Sequence, residues 1–257
     1  MKIATVAACP VFGGKLRAVD DGETLAVRGV RQVVRLEDAV AVVADHMGAA
    51  KKGLEALAID WDEGPNAELA TADLVRQLEE GAERQGVVAK QVGDVGMTLQ
   101  GAVKRLDADY HMPLLAHATM EPMNCTVHVR ADGCEVWVGS QVLSRARAAA
   151  AAVTGLPLDR VVVHNQYLGG GFGRRLEVDY VAQAVSIARQ VDGPVKVIWT
   201  REEDIQHDIY RPIYLDRLTA GLDAAGHPVS FQHRVVGSSI VARWVPELFK
   251  GDLDFDA

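Results

Sequence analysis

The sequence predicts a mixed α/β fold of the α+β class, and three observations support this. The 257 residues are enough for a sizeable core and for one or two domains. A composition of 49% hydrophobic and 24% charged residues is ordinary for a globular protein. Short runs rich in β-branched residues alternate along the chain with stretches of helical periodicity.

The first predicted elements are short strands and one helix. Runs of β-branched residues predict strands over residues 32–36 and 39–44. A helix is expected from residue 45 to about residue 57, with Asp45 as its N-cap, because an aspartate oxygen accepts a backbone N–H well at this position. A short strand over residues 57–61 follows, and a polar turn ends it.

Residues 65–108 differ from their surroundings. They are rich in Glu, Gln and Gly and show little periodicity, apart from one exposed helix expected over residues 74–83. This composition predicts a linker or a long surface segment between two domains.

The second half of the chain is more strongly patterned. One helix is expected to be capped by Ser140 and closed by Gly155 and Pro157, and another covers residues 175–191. The predicted strands of this half cover residues 125–130, 135–139, 161–168, 195–199, 214–221 and 228–236.

Residues 169–173, with the sequence GGGFG, lie between a predicted strand and a predicted helix. Glycines let a ligand approach the backbone, and a helix N-terminus favours an anion, to which Arg174 and Arg175 add charge. The segment lacks the G-K-[ST] of a Walker A loop and the third glycine of a dinucleotide fingerprint. A structural turn and an anion site therefore both stay open, although Phe172 is unusual for a simple turn.

Composition also excludes several functions. A formal net charge of -8 argues against a nucleic-acid or anionic-membrane partner. Cys9, Cys125 and Cys134 form no C-x-x-C pair, so iron–sulfur and zinc-ribbon motifs are absent and inert thiols are expected. The eight histidines show no ligand spacing, which favours structural roles for them. No apolar run is long enough to span a bilayer, and no secretory signal is visible.

Five further segments accompany the glycine segment 169–173 (GGGFG): residues 10–14 (PVFGG), 120–124 (MEPMN), 140–141 (SQ), 199–204 (WTREED) and 210–212 (YRP). Together the six segments resemble the molybdenum-binding large subunit of the xanthine dehydrogenase/aldehyde oxidase family. MEPMN is similar to a segment of the branch that includes isoquinoline 1-oxidoreductase beta subunits, and PVFGG is similar to a segment of the small hammerhead domain.

The resemblance implies a domain organisation. Residues 1–64 would form a partial, hammerhead-like α/β domain, and residues 109–257 the first half of a molybdenum-cofactor-binding domain, with residues 65–108 between them. The family subunit is far longer than this chain. Residues 1–4 look like the inside of a strand and residues 252–257 complete no recognisable element, so we expect a fragment whose large subunit continues beyond it.

The resemblance also implies a site in which a pterin holds the molybdenum and the protein supplies no metal ligand. Gln141 would hydrogen-bond an oxygen ligand of the metal, and backbone N–H groups of the glycine segment would approach it. Phe172 and Leu176 would line the substrate pocket; purine-oxidising members carry a glutamate at the position of Leu176. The residues implied to bind the cofactor are Gln141, Gly170, Gly171, Phe172, Gly173, Arg174 and Arg211.

The activity implied is hydroxylation of an N-heterocycle or an aldehyde, with water as the oxygen source. Electrons would leave through a small [2Fe–2S] subunit, and the cofactor is expected in its cytosine dinucleotide form. The general base of the family is a glutamate in a G-x-G-E segment, which this chain lacks. No catalytic residue is therefore expected in this chain, and the fragment is expected to be inactive alone.

Two other hypotheses stay open on the sequence. The chain is alternatively a stand-alone α/β module that binds an anion or nucleotide with residues 169–173, or a structural protein that retains the loop. The compartment, cytoplasmic or periplasmic, is also open.

Overall fold

The computed structural model describes residues 1–249, which form two compact units. The first unit comprises Met1–Glu68 and Ala116–Ile209, and the second comprises Leu69–Leu115 and the chain from Tyr210 onward. These divisions differ from the predicted segments 1–64, 65–108 and 109–257. The physical reason is that the N-terminal strand joins the same sheet as strands more than 120 residues later in the chain. Residues 252–257, for which no recognisable element is predicted, lie outside the described part.

The described residues contain strands and helices in alternation, and the α+β prediction is confirmed. The strands are β1 Lys2–Ala8, β2 Lys15–Asp20, β3 Val30–Arg35, β4 Ala39–Ala44, β5 Ala58–Asp62, β6 Lys104–Met112, β7 Asn124–Arg130, β8 Gly133–Val138, β9 Val161–Asn165, β10 Val195–Ile198, β11 Tyr214–Leu222 and β12 Pro228–Gly237. The helices are α1 Gly22–Ala26, α2 Met47–Glu55, α3 Thr71–Ala82, α4 Val95–Gln100, α5 Leu143–Thr154, α6 Asp179–Ala188, α7 Arg201–Gln206 and α8 Ile240–Trp244.

The first unit is built on a seven-stranded mixed sheet in the order β3-β4-β1-β10-β7-β8-β9. β1 pairs in parallel with β10 and β8 in parallel with β9, and the other pairs are antiparallel. All six residues of β4 are buried, because helices cover both faces of the sheet there. Val43 belongs to the large core with α5 and α6, whereas its neighbour Ala44 packs with Ala49 and Ala50 of α2.

The second unit is a three-stranded antiparallel sheet in the order β12-β11-β6, with α3 on one face. Its small core contains Leu78 and Ala82 of α3 and Leu215 of β11. The predicted exposed helix over residues 74–83 is therefore corrected: α3 is amphipathic, and its apolar side is buried against the sheet.

Two predicted N-caps are wrong, because their side chains have other partners. The cap of α2 is His46, whose Nδ1 accepts the Ala49 N–H at 3.2 Å, while the Asp45 carboxylate is paired with Arg31 at 2.8 Å. The Ser140 hydroxyl donates to the Arg175 carbonyl at 3.1 Å, and α5 begins later, at Leu143.

The helix predicted over residues 175–191 is interrupted. Arg174–Leu176 forms a single 3₁₀ turn, and α6 begins only at Asp179. Arg174 and Arg175 are 1% and 0% exposed, and their guanidinium groups bind other parts of the unit. The prediction that Arg175 begins the helix is therefore wrong, and the glycine segment does not lead directly into a helix N-terminus.

No helix within residues 1–249 is long and apolar enough to cross a membrane.

Glu203 joins α7 to the end of β1. Its Oε1 accepts the Ala8 N–H at 3.0 Å and lies 3.5 Å from Nδ1 of His207. The residue is 8% exposed, and burial raises the pKa of its carboxyl to about 7.

This pKa predicts a pH dependence of stability. Between about pH 4.5 and pH 7 the folded state keeps a proton that the unfolded state has released, so the free energy of unfolding should fall as the pH rises through this window. In wild type this decrease should be on the order of 3 kcal/mol larger between pH 5 and pH 8 than in Glu203→Gln. Urea unfolding at each pH measures it.

The matched control is Glu202→Gln, the exposed neighbour, which should keep the wild-type slope. His207, whose pKa burial lowers, contributes in the opposite direction below about pH 6.5 and is present in all three proteins. Equal slopes in wild type and Glu203→Gln would contradict the assignment.

Candidate cofactor site

The glycine segment forms an open loop after β9 in the first unit. Gly170 and Gly173 have φ angles of 104° and 103°, which glycine tolerates readily. Phe172 between them has φ 54°, and its side chain is 66% exposed. A left-handed phenylalanine is costly, and such conformations cluster at functional sites.

The ends of the loop are anchored, whereas its middle offers donors. The Gly169 N–H donates to Glu121 Oε2 at 2.8 Å, and the Gly173 N–H donates to Gln141 Oε1 at 3.2 Å. The N–H groups of Gly170 and Gly171 donate to no acceptor among the described residues. Since buried backbone donors are almost always paired, these two groups suit an oxygen acceptor on a ligand.

Gln141 lies directly against the loop. A Cβ atom on Gly171 would lie 2.5 Å from Gln141 Oε1, so only glycine allows this contact. Because Oε1 accepts the Gly173 N–H, the Nε2 group is the part of the amide left to donate, and no described residue accepts from it. Gln141 is thus positioned to donate a hydrogen bond beside the two free glycine N–H groups.

Arg175 holds the loop from behind. Its Nε donates to the Gly170 carbonyl at 2.9 Å, its Nη1 to the Gly139 carbonyl at 3.0 Å, and its Nη2 to the Glu121 carbonyl and carboxylate at 3.0 and 2.8 Å. Its own carbonyl accepts the Gln141 N–H at 3.0 Å. One buried side chain therefore ties the MEPMN, SQ and GGGFG segments together.

Glu121 is the acidic partner in this network. Burial opposes its ionisation, but hydrogen bonds from the Gly169 N–H and from Asn124, and the charge of Arg175, lower its pKa below the usual range. The carboxylate is therefore ionised, and its pairing with Arg175 is structural.

The WTREED segment supports the same region. Arg201 donates to the carbonyls of Thr119 and Met120, the latter at 2.9 Å, and pairs with Asp204 at 2.6 Å. Asp204 in turn accepts the Met123 N–H at 3.1 Å. This segment fixes residues 119–123, which carry Glu121.

Arg174 lies behind the loop in a chain of buried charges. Its guanidinium is 2.7 Å from Asp179 and 2.8 Å from Asp208, and Asp208 lies 2.9 Å from His117 Nδ1. The two aspartates neutralise this buried cation.

The structure brings together Gln141 and the whole glycine segment, and their proposed roles toward a cofactor stay predictions. Leu176 is half-buried in the 3₁₀ turn behind the loop, and Arg174 is directed at aspartates. Arg211 is exposed and belongs to the second unit, where its backbone pairs with Leu115.

The sequence patterns did not predict two features of the site, the His117–Asp208 pair and the anchoring role of Arg175. Their partners are distant in sequence, 91 residues away for His117 and 54 for the link from Arg175 to Glu121. The MEPMN segment is a signal for Glu121, but no local pattern indicates the other contacts.

The donor set suits an oxygen-rich group rather than a bare metal ion. Within residues 1–249 no group of three or more His, Cys, Asp or Glu side chains could hold a metal ion. The three cysteines are buried and free, and burial raises the pKa of Cys134 to about 11. Backbone N–H groups and the Gln141 amide fit the oxygens of a cofactor that brings its own metal ligands.

Phe172 permits a test of the strained loop. Phe172→Gly relieves the positive φ, whereas Phe172→Ala keeps it, and both lose the same exposed ring. We expect Phe172→Gly to unfold with a free energy about 1 kcal/mol higher than that of Phe172→Ala in urea. A lower value for the glycine variant would show that the left-handed conformation is not a source of strain.

The chain matches the model of the molybdopterin cofactor-binding domain over residues 79–239. It therefore belongs to that family, as the resemblance in the sequence implies.

Individual relatives agree with this assignment. The chain is 31% identical to an isoquinoline 1-oxidoreductase subunit beta from Brevundimonas diminuta, over 97% of this chain and 33% of that protein. It is 28% identical to a membrane-bound aldehyde dehydrogenase from Gluconacetobacter polyoxogenes, over 83% of this chain and 29% of that one. The chain thus spans about a third of the length of these relatives.

The fold has counterparts among solved structures. Quinoline 2-oxidoreductase from Pseudomonas putida 86 superposes with a TM-score of 0.66 at 15% identity, over 91% of this chain and 35% of that chain. This likeness supports the fold.

Proposed function

We propose that this chain is the part of a molybdenum hydroxylase large subunit that supplies the glycine-loop side of the molybdenum cofactor site. The observation that carries the proposal is the set of free donors in the loop: the Gly170 and Gly171 N–H groups beside the oriented amide of Gln141. They occur within a domain whose family binds molybdopterin.

The residues of this chain have distinct tasks in the proposed site. The Gly170 and Gly171 N–H groups hold an oxygen of the cofactor, and Gln141 Nε2 donates to a second oxygen. The exposed ring of Phe172 forms a wall for a planar or aldehyde substrate and keeps water from that side. The cofactor supplies the two-electron redox chemistry when it is bound. Arg174 and Arg211 at the cofactor periphery, and Leu176 in the substrate pocket, stay proposals.

The complete enzyme would need further parts. We propose the cytosine dinucleotide form of the cofactor, a small [2Fe–2S] subunit as electron acceptor, and the remainder of the large subunit as carrier of the general base. The names of the relatives favour an N-heterocycle or an aldehyde as substrate.

The test is to express the complete reading frame with its neighbouring small-subunit gene and to measure molybdenum and cytidine nucleotide content. We expect about one molybdenum and one cytidine nucleotide per large subunit. Absence of both, in a protein that carries an intact G-x-G-E segment, would overturn the proposal. Binding of a free nucleotide by the isolated chain would instead support the alternative of a stand-alone anion-binding module.

A further inference from the structure

His117 lies against the last glycine of the loop. Its side chain is 10% exposed, and its Nε2 atom lies 3.6 Å from the place a Cβ atom on Gly173 would occupy. The other ring nitrogen, Nδ1, lies 2.9 Å from Asp208 Oδ2. No described residue provides a hydrogen-bond partner for Nε2. The imidazole thus presents one unpaired nitrogen beside the loop.

The orientation of this ring is fixed by its neighbours. Asp208 is 1% exposed; its Oδ1 lies 2.8 Å from Arg174 Nε, and its Oδ2 also accepts the backbone N–H of His117. Because Asp208 already accepts the backbone N–H and faces the Arg174 guanidinium, Nδ1 of a neutral imidazole is the nitrogen that donates to it. Nε2 then presents its lone pair, as in histidines that a carboxylate orients for ligand binding.

The backbone around this pair is strained. Ala118 with φ 43° and Phe172 with φ 54° are the non-glycine residues with positive φ in the described part of the chain. The first adjoins His117 and the second adjoins Gly173. Unfavourable conformations on both sides of one contact indicate that this contact is maintained for a function.

We infer that His117 is a further binding residue of this site, whose Nε2 accepts a hydrogen bond from a ring N–H or an O–H of a bound heterocycle. The inference rests on the proposed function. The loop supplies N–H donors and His117 supplies an acceptor, so the ligand must carry both an oxygen acceptor and an N–H or O–H donor. The pterin of the cofactor and an N-heterocyclic substrate with a ring N–H beside a carbonyl oxygen share this chemistry.

The experiment uses the complete enzyme with its partner subunit. His117→Asn keeps an amide donor for Asp208 but removes Nε2, whereas His117→Gln restores a polar atom at about the Nε2 position. Molybdenum and released pterin are measured per large subunit. KM is measured with two probe substrates: quinazolin-4(3H)-one, which carries a ring N–H beside a carbonyl oxygen, and benzaldehyde, which carries no N–H or O–H donor. Loss of one buried hydrogen bond predicts an effect of about tenfold in His117→Asn and partial recovery in His117→Gln.

The results for His117→Asn distinguish the pterin of the cofactor from the substrate as the partner of Nε2. A fall in molybdenum and pterin content identifies the cofactor as the partner of Nε2. A KM raised about tenfold for quinazolin-4(3H)-one, at wild-type molybdenum and pterin content and with the KM for benzaldehyde unaffected, identifies the substrate as the partner of Nε2.

The matched control is His207→Asn, since His207 is also buried beside a carboxylate but lies against Phe12 rather than against the loop. It should keep wild-type content and KM. Wild-type molybdenum content, pterin content and KM in His117→Asn would overturn the inference. If His117→Asn does not fold, His117→Phe takes its place. Absence of molybdenum from the wild-type enzyme would instead overturn the proposed function.

Discussion

Arg175→Met should lower the free energy of unfolding by about 3–5 kcal/mol, because a fully buried cation is removed from four hydrogen-bond acceptors. Arg175 is 0% exposed and donates to the carbonyls of Gly170, Gly139 and Glu121 and to the Glu121 carboxylate. Methionine fills a similar space but leaves all these acceptors without their donor. Urea unfolding measures the loss.

The same change should also disorder the site. The Arg175 carbonyl accepts the Gln141 N–H, and the Arg175 side chain holds Gly170, so the two groups proposed to bind the cofactor lose a common support. Arg175→Lys keeps the charge but not the planar fork of donors, and we expect an intermediate loss of stability.

The control for Arg175 is an arginine with a single carbonyl partner at the surface. Arg189 is exposed and donates to the Val153 carbonyl at 2.8 Å, so Arg189→Met should cost about 1 kcal/mol or less. Equal losses in Arg189→Met and Arg175→Met would contradict the anchoring role.

Most strands and the glycine loop were accessible to sequence reasoning because their signals are local, whereas β2 and β6 were not predicted. β4 is a continuous apolar run, and Gly133 directly follows the two-residue turn between β7 and β8. The order of the motifs identified the family. These features depend on neighbouring residues and not on the rest of the fold.

The burial of Arg174 and Arg175 was not predictable in the same way. Two adjacent arginines before a periodic segment look like an exposed helix start, but both are buried, and each has an acceptor from a distant part of the chain. Arg174 meets Asp208, 34 residues later, and Arg175 meets Glu121, 54 residues earlier. The same holds for His117, whose environment depends on Asp208. Such contacts form only when the fold brings distant segments together, so no local sequence pattern predicts them.

Gly171→Ala should reduce cofactor content in the complete enzyme about tenfold while costing little stability. An added Cβ would lie 2.5 Å from Gln141 Oε1, but that atom ends a flexible, exposed side chain that can move aside. The displacement breaks the hydrogen bond from the Gly173 N–H at 3.2 Å and turns the amide away from the free N–H groups.

A double-mutant cycle separates this effect from a general distortion of the loop. If Gly171→Ala acts through Gln141, then Gln141→Ala alone should lower molybdenum content by a similar factor, and the double variant should be no worse than either single one. Additive losses would mean that the methyl group blocks the loop N–H groups directly. Gly169→Ala is the contrast, because its Cβ would lie 2.6 Å from Glu121 Cβ, which cannot move without shifting its backbone, so this variant should lose stability as well as cofactor.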